Sequence, residues 1–128
     1  MGAKILYIED NPGNRMLVRR ILLVEDYEVL EAEDGPKGIE LAIREKPDLI
    51  LMDMNLPDLD GYELTKRMRA IPELSGIPII AMTANVMQGD REKTLAAGCN
   101  GYIPKPIDVD ELPHQIARFL KASGYKGG

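Results

Sequence analysis

The residues with the clearest capacity for chemistry are Glu9 and Asp10, Asp53, Thr83 and Lys105. Each follows an apolar run that reads as a strand, and in open α/β sheets the carboxyl edge of the strands is where ligands bind. Taken singly, a carboxylate after a strand is an ordinary solvated loop residue. Taken together at one edge, three carboxylates repel each other and move their pKa values upward unless a cation neutralises them. A hard divalent ion with oxygen ligands meets that need. Mg²⁺ keeps several waters and takes one or two carboxylates plus phosphate oxygens, so it suits this set.

A carboxylate is a weak nucleophile, but phosphoryl transfer asks mainly for alignment and for stabilised charge on the transferring oxygens. Asp53 is the candidate to attack. Mg²⁺ and the Lys105 ammonium would neutralise the oxygens, and the Thr83 hydroxyl would hydrogen-bond one of them. Ala84 leaves room beside Thr83, and a cis Lys105-Pro106 bond, which an X-Pro pair adopts at little cost, would aim the lysine inward. A second acidic pair competes with the first: Leu6 to Asp10 reads LYIED and Leu22 to Asp26 reads LLVED. Glu25 and Asp26 close an amphipathic stretch and read as a solvated helix end. Glu9 and Asp10 end a strand and open a capped helix.

The elements that must position these groups are legible between them. Strands are expected at Lys4 to Ile8, Glu28 to Glu31, Leu49 to Met52, Ile77 to Met82 and Gly101 to Ile103, alternating with amphipathic stretches as in a parallel sheet covered by helices. Leu49, Ile50, Leu51 and Met52 do not alternate with polar residues, which marks a strand buried on both faces. Asn11 caps the first helix and Pro12 starts it, with Leu17, Val18, Ile21 and Leu22 as its stripe. Ile39, Ala42 and Ile43 precede Pro47, and Leu64, Met68 and Ile71 precede Pro72, each proline stopping a helix. The fourth stretch, Val86 to Ala97, has a thin stripe broken by Gly89 and ends at Gly98, so a marginal helix is expected. Asp108 is expected to cap the fifth, with Leu112, Ile116, Phe119 and Leu120 inward and a first turn distorted by Pro113. The whole chain, 1–128, reads as one domain with its core over about 3–122 and a loose tail over 123–128.

Composition narrows the class. The formal charge of -5 from 16 basic and 21 acidic residues argues against a nucleic-acid footprint. No apolar run, Leu49 to Met52 included, is long enough to span a bilayer, and Met1 to Ile8 lacks the layout of a secretory signal. Cys99 stands alone, so it reads as a small packing residue, and a reducing, cytoplasmic setting is expected.

Glu9-Asp10-Asn11, Asp53 with Leu56-Pro57 and Asp60-Gly61, Thr83-Ala84 and Lys105-Pro106 form a specific set. On these residues the sequence resembles the receiver domain of two-component response regulators over nearly its whole length, and is most similar to stand-alone receivers of the DivK and CheY type. The resemblance implies a flavodoxin-like three-layer α/β sandwich with a parallel sheet of order 2-1-3-4-5. It implies Mg²⁺-dependent transfer of a phosphoryl group to Asp53 from a phosphohistidine of a sensor histidine kinase or histidine phosphotransfer protein. By the same resemblance Asp10, Asp53 and the Asn55 backbone carbonyl are direct metal ligands, and Glu9 acts mainly through water. Thr83 and Tyr102 are the implied switch pair, altering the face of the fourth helix, fifth strand and fifth helix toward a downstream protein target.

Such a switch is a phosphoacceptor, catalysing only its own phosphorylation and slow dephosphorylation. Other readings are weaker. A haloacid-dehalogenase-like phosphatase carries a second Asp two residues after its nucleophile, where Asn55 cannot shuttle protons. A receiver excised from a hybrid kinase or larger regulator would share every motif. A degenerate, never phosphorylated receiver is disfavoured by the presence of Asp53, Thr83 and Lys105.

Overall fold

The computed structural model describes residues 2–56, 60–84 and 88–124. Strands and helices alternate as β1 (Lys4–Ile8), α1 (Pro12–Val24), β2 (Glu28–Ala32), α2 (Gly35–Glu45), β3 (Leu49–Asp53), α3 (Gly61–Arg69), β4 (Ile79–Thr83), α4 (Gln88–Ala96), β5 (Gly101–Pro104) and α5 (Leu112–Ala122). A 3₁₀ turn, Pro72–Leu74, links α3 to β4. The sheet is wholly parallel, in the order β2-β1-β3-β4-β5.

Two apolar layers follow from strand alternation. Leu6, Ile8, Ile50, Met52, Ile79 and Ala81 pack under Ala42, Leu64 and Met68 on one face. Ile5, Tyr7, Leu49, Leu51, Ile80 and Met82 pack under Val18, Leu22, Leu112 and Ile116 on the other. Every residue of β3 and β4 is buried, which explains why their sequences lack a polar alternation. Burial of a side chain such as Leu64 or Met68 stabilises the fold by about 1.5 to 3 kcal/mol.

The caps set the loops at the functional edge. The Asn11 side chain accepts from the Asn14 N–H at 2.9 Å, Asp34 from Lys37 at 2.9 Å and Asp60 from Glu63 at 2.8 Å. Gly61 after Asp60 is there for space: a Cβ would stand 2.7 Å from the Met54 Cα. Gly98, at φ +113°, ends the α4 segment in a conformation that favours glycine.

Several expected boundaries move. β4 begins at Ile79 rather than Ile77, because Ile77 closes the preceding turn through its N–H to Leu74 O at 3.1 Å and Pro78 has no N–H for the ladder. Ile71 lies beyond α3, which ends at Arg69, and opens the 3₁₀ turn. β3 and β4 extend through Asp53 and Thr83, so these two are the last residues of their strands rather than the first beyond them. β2 and β5 likewise run one residue further than expected, to Ala32 and Pro104.

Asp108 does not cap α5. Its carboxylate accepts from the N–H groups of Asp110 and Glu111 at 3.0 and 3.1 Å, capping a separate turn, and the helix begins at Leu112. Pro113, the second residue of α5, has no N–H to donate back to Val109, so the helical ladder does not run on from that turn.

The α4 helix runs over Gln88–Ala96; the expected start at Val86 lies outside the described residues, as do Pro57 and the tail from 125 onward. Its described part is apolar-poor: Thr94 is buried, while Leu95 is 46% exposed. Two cations help hold it, with Arg91 Cζ 5.8 Å from the Tyr102 ring centroid and Lys93 Nζ 4.5 Å from that of Tyr62.

Candidate functional site

The carboxyl ends of β1, β3, β4 and β5 bring Glu9, Asp10, Asp53, Thr83 and Lys105 to one edge of the sheet. Carboxylate oxygens of Glu9, Asp10 and Asp53 all lie within 4.8 Å of one another. Glu9 and Asp53 are buried, 1% and 3% exposed, and Asp10 is exposed, so the cluster has a floor and an open side. Lys105 Nζ donates to Asp53 Oδ1 at 2.8 Å and stands 3.8 Å from Glu9 Oε1. The Lys105–Pro106 peptide is cis, as expected, and the Lys105 N–H donates to Thr83 O at 2.8 Å.

Local bonds orient the Asp53 carboxylate. The Asn55 N–H donates to Asp53 Oδ1 at 3.1 Å, so that oxygen is held from the lysine side and from the following loop. Thr83 is buried on β4 next to β5. Tyr102 is half-buried and its register partner is Ala81, two residues before Thr83. Thr83 and Tyr102 therefore belong to the same face of neighbouring strands, the face covered by α2 and α3. The competing pair, Glu25 and Asp26, sits beyond the far end of α1, with Asp26 at φ 63° in the turn before β2.

The charge balance is uneven. Burial, then a hydrogen bond with Asp53 and its charge, push the Glu9 carboxyl up to about 7. Asp53 moves the other way, as a carboxylate with a cation beside it does. Burial pushes it up, but hydrogen bonds from Glu9, Lys105 and the Asn55 N–H outweigh burial and hold it below the usual carboxylate range. A proton kept on Glu9 would relieve part of its repulsion with Asp53, and a divalent cation would relieve it more completely. A clustered set of oxygen donors with an open side fits Mg²⁺ rather than a soft metal.

Three residues that hold Glu9 were not foreseen. Asn14 Nδ2 donates to Glu9 Oε1 at 3.1 Å, beside Tyr7 Oη at 3.2 Å, and Arg15 Nη1 donates to the Glu9 carbonyl at 2.7 Å. Burial, then the Glu9 charge, hold the Tyr7 phenol well above its usual range, so it stays a donor. Asn14 and Arg15 both lie in the first turn of α1, three and four residues after Asn11. Their spacing alone marks only a helix face.

Comparison with known proteins agrees with the geometry. Residues 5–117 match the family described as the response regulator receiver domain. The polar-differentiation response regulator DivK of Brucella anthropi is 39% identical over 120 residues, covering 94% of this chain and 98% of that protein. The receiver domain of a sensor histidine kinase from Pseudomonas aeruginosa, whose crystal structure has a magnesium ion coordinated in the active site cleft, is 42% identical. It superposes with a TM-score of 0.85 over 94% of this chain and 99% of that one. The receiver domain of Ssk1 from Saccharomyces cerevisiae, in co-crystal with the histidine phosphotransfer protein Ypd1, is 28% identical with a TM-score of 0.85, covering 92% and 88% of the two chains.

Proposed function

The chain belongs to the response regulator receiver domain family, and from that membership we propose that Asp53 is its phosphoryl acceptor in a Mg²⁺-dependent phosphorelay switch. The observation that carries this reading is the bond from Lys105 Nζ to Asp53 Oδ1 at the floor of the Glu9, Asp10 and Asp53 pocket.

Asp10, Asp53 and the Asn55 backbone carbonyl would hold the ion, with Glu9 acting mainly through water, and the ion supplies positive charge for the transferring phosphoryl oxygens. An Asp53 oxygen attacks phosphorus as the P–N bond of a phosphohistidine breaks, its electron pair leaving on the imidazole nitrogen. The product is an acyl phosphate on Asp53. Lys105 leaves its carboxylate partner to pair with a phosphoryl oxygen, and the Thr83 hydroxyl donates to another. Ala84, exposed beside Thr83, keeps the approach open.

The donor is a sensor histidine kinase or a histidine phosphotransfer protein, a class supported by the Ypd1 complex of the Ssk1 receiver. The output is a protein that reads the α4, β5 and α5 face, with Thr83 and Tyr102 carrying the signal. Among the described residues no helix is long and apolar enough to cross a membrane, and the buried, unpaired Cys99 suits a cytoplasmic setting.

The reading predicts a switch rather than a turnover enzyme. With Asn55 where a phosphatase of the haloacid-dehalogenase type has its acid/base, incubation with a small phosphodonor should label the chain stoichiometrically. Steady release of phosphate at enzymatic rates would refute the switch.

A further inference from the structure

We propose that Arg15 is a positioning residue for the metal site, setting where the Asp10 carboxylate points through the peptide plane between Glu9 and Asp10. The inference rests on the Mg²⁺ reading above. Arg15 Nη1 donates to the Glu9 carbonyl at 2.7 Å, a charge-assisted bond, while Nε lies 3.7 Å from Glu31 Oε1 on β2. Glu31 is itself braced by Arg19 at 3.4 Å, and the Arg15 side chain is only 19% exposed.

The peptide group is planar, so an anchored Glu9 oxygen also fixes the direction of the Asp10 N–H and the place of its Cα. Asp10 is exposed on a short side chain, and its carboxylate goes where its backbone sends it. Glu9 is different, for its carboxylate is gripped directly by Tyr7, Asn14 and the Asn11 N–H. Arg15 therefore does for the backbone of the acidic pair what those groups do for the Glu9 side chain.

Charge and position predict opposite signs, which makes the role testable. Arg15 is a cation beside a cation site. If it acted by charge alone, its removal would tighten Mg²⁺ binding; if it positions Asp10, removal weakens it.

The experiment is a Mg²⁺ titration of the full chain followed by backbone amide NMR, on the parent, Arg15→Met, Arg15→Lys and Arg19→Met. Arg15→Met is expected to weaken binding roughly ten-fold, the low end for loss of an outer-shell partner, and to shift the Asp10 amide resonance before any metal is added. Arg15→Lys keeps the charge and one donor but loses the brace to Glu31, and should fall between. Arg19→Met loses the same charge and one contact to Glu31 but leaves the Arg15 bond to the Glu9 carbonyl in place, so it should bind Mg²⁺ more tightly than Arg15→Met does. Arg15→Met binding as tightly as the parent overturns the positioning role and leaves the metal reading standing. A parent that does not bind Mg²⁺ overturns both. Should the amide spectrum show Arg15→Met unfolded, Arg15→Lys decides, since parental affinity in that variant overturns the role.

Discussion

Lys105 Nζ lies 2.8 Å from Asp53 Oδ1 and 3.8 Å from Glu9 Oε1, so a single ammonium spans the two buried carboxylates of the site. On the proposed function it balances them before transfer and would meet phosphoryl oxygens during it. Lys105→Met removes a cation that competes with Mg²⁺, so metal binding should hold or tighten. Acceptance of the phosphoryl group should nevertheless slow by roughly 10²-fold, the scale for losing one preorganised donor to developing charge. Mg²⁺ titration and the rate of labelling by a small phosphodonor check the two directions separately. A variant that loses both together would place Lys105 in metal binding instead.

The raised Glu9 carboxyl gives a pH dependence of unusual sign. In the unfolded chain Glu9 ionises near the ordinary glutamate value, whereas in the metal-free fold it keeps its proton up to about 7. Between those values the folded state binds more protons, so this group's contribution falls as pH rises through about 7. Asp53 is held low and acts in the opposite sense, its contribution being lost only as pH falls through its depressed value. Glu9→Gln should therefore stabilise the metal-free protein at pH 8, by something on the order of 1 to 3 kcal/mol, and do less at pH 5. On the proposed function Mg²⁺ would displace the same proton, so affinity for the ion should drop as pH falls below 7. Thermal melts with and without Mg²⁺ at both pH values test the sign.

Signal transmission is expected to run along one face of the sheet. Thr83 is two residues beyond Ala81, the register partner of Tyr102, and Arg91 of α4 approaches the Tyr102 ring. Thr83→Ala should still accept a phosphoryl group, because on the proposed function Asp53 and the metal site would perform the transfer. It loses one hydrogen bond to a charged oxygen, about 1.5 to 3 kcal/mol, enough to change an active population ten-fold or more. Tyr102→Ala should uncouple in the same way. Hydrogen exchange across 88–96, with and without phosphorylation, reads both variants. An unaltered phosphorylation-dependent change in each would remove the relay while leaving the acceptor in place.

Lys46 offers a check on the fold that does not involve the site. It ends α2 in the left-handed region at φ 47°, with its N–H bonded to Ala42 O at 2.9 Å, and its side chain is exposed. Glycine takes that conformation without strain, so Lys46→Gly should raise stability by about 0.5 to 1 kcal/mol and leave Mg²⁺ binding unchanged. Denaturant unfolding measures it.

The parts of this molecule that could be read from sequence are those governed by local rules. Asn11 before Pro12 marks a helix start wherever it occurs, and the unbroken Leu49 to Met52 run can be satisfied only by a strand covered on both faces. The convergence of Glu9, Asp10, Asp53 and Lys105 followed from the strand-end rule alone. The misreadings arose where a second local signal competed. Pro78 excluded Ile77 from a run that its side chains suit, and Asp108 capped the nearer turn because Pro113, with no N–H, cannot continue the ladder from that turn into α5.

The rest was non-local and had no sequence signal. Arg15 reaches the Glu9 carbonyl, and Arg69 Nε and Nη1 reach the carbonyls of Gly98 and Ile77 at 2.9 and 2.8 Å, bonds that exist only once β-strands and helices have met. The opposite shifts of Glu9 and Asp53 are of the same kind. Like charges at one edge announce a conflict, but which carboxyl keeps the proton depends on where Lys105 and Asn55 place their donors.

The acceptor itself is the point on which the account stands, and it is tested by mapping the phosphoryl group. Incubation of the full chain with acetyl phosphate and Mg²⁺ should add one hydroxylamine-sensitive phosphoryl group, visible as a single mass increment and located by peptide mapping at Asp53. Omission of Mg²⁺ should suppress it, and Asp53→Asn should abolish it. Labelling that persists undiminished in Asp53→Asn would contradict the account and place the acceptor elsewhere.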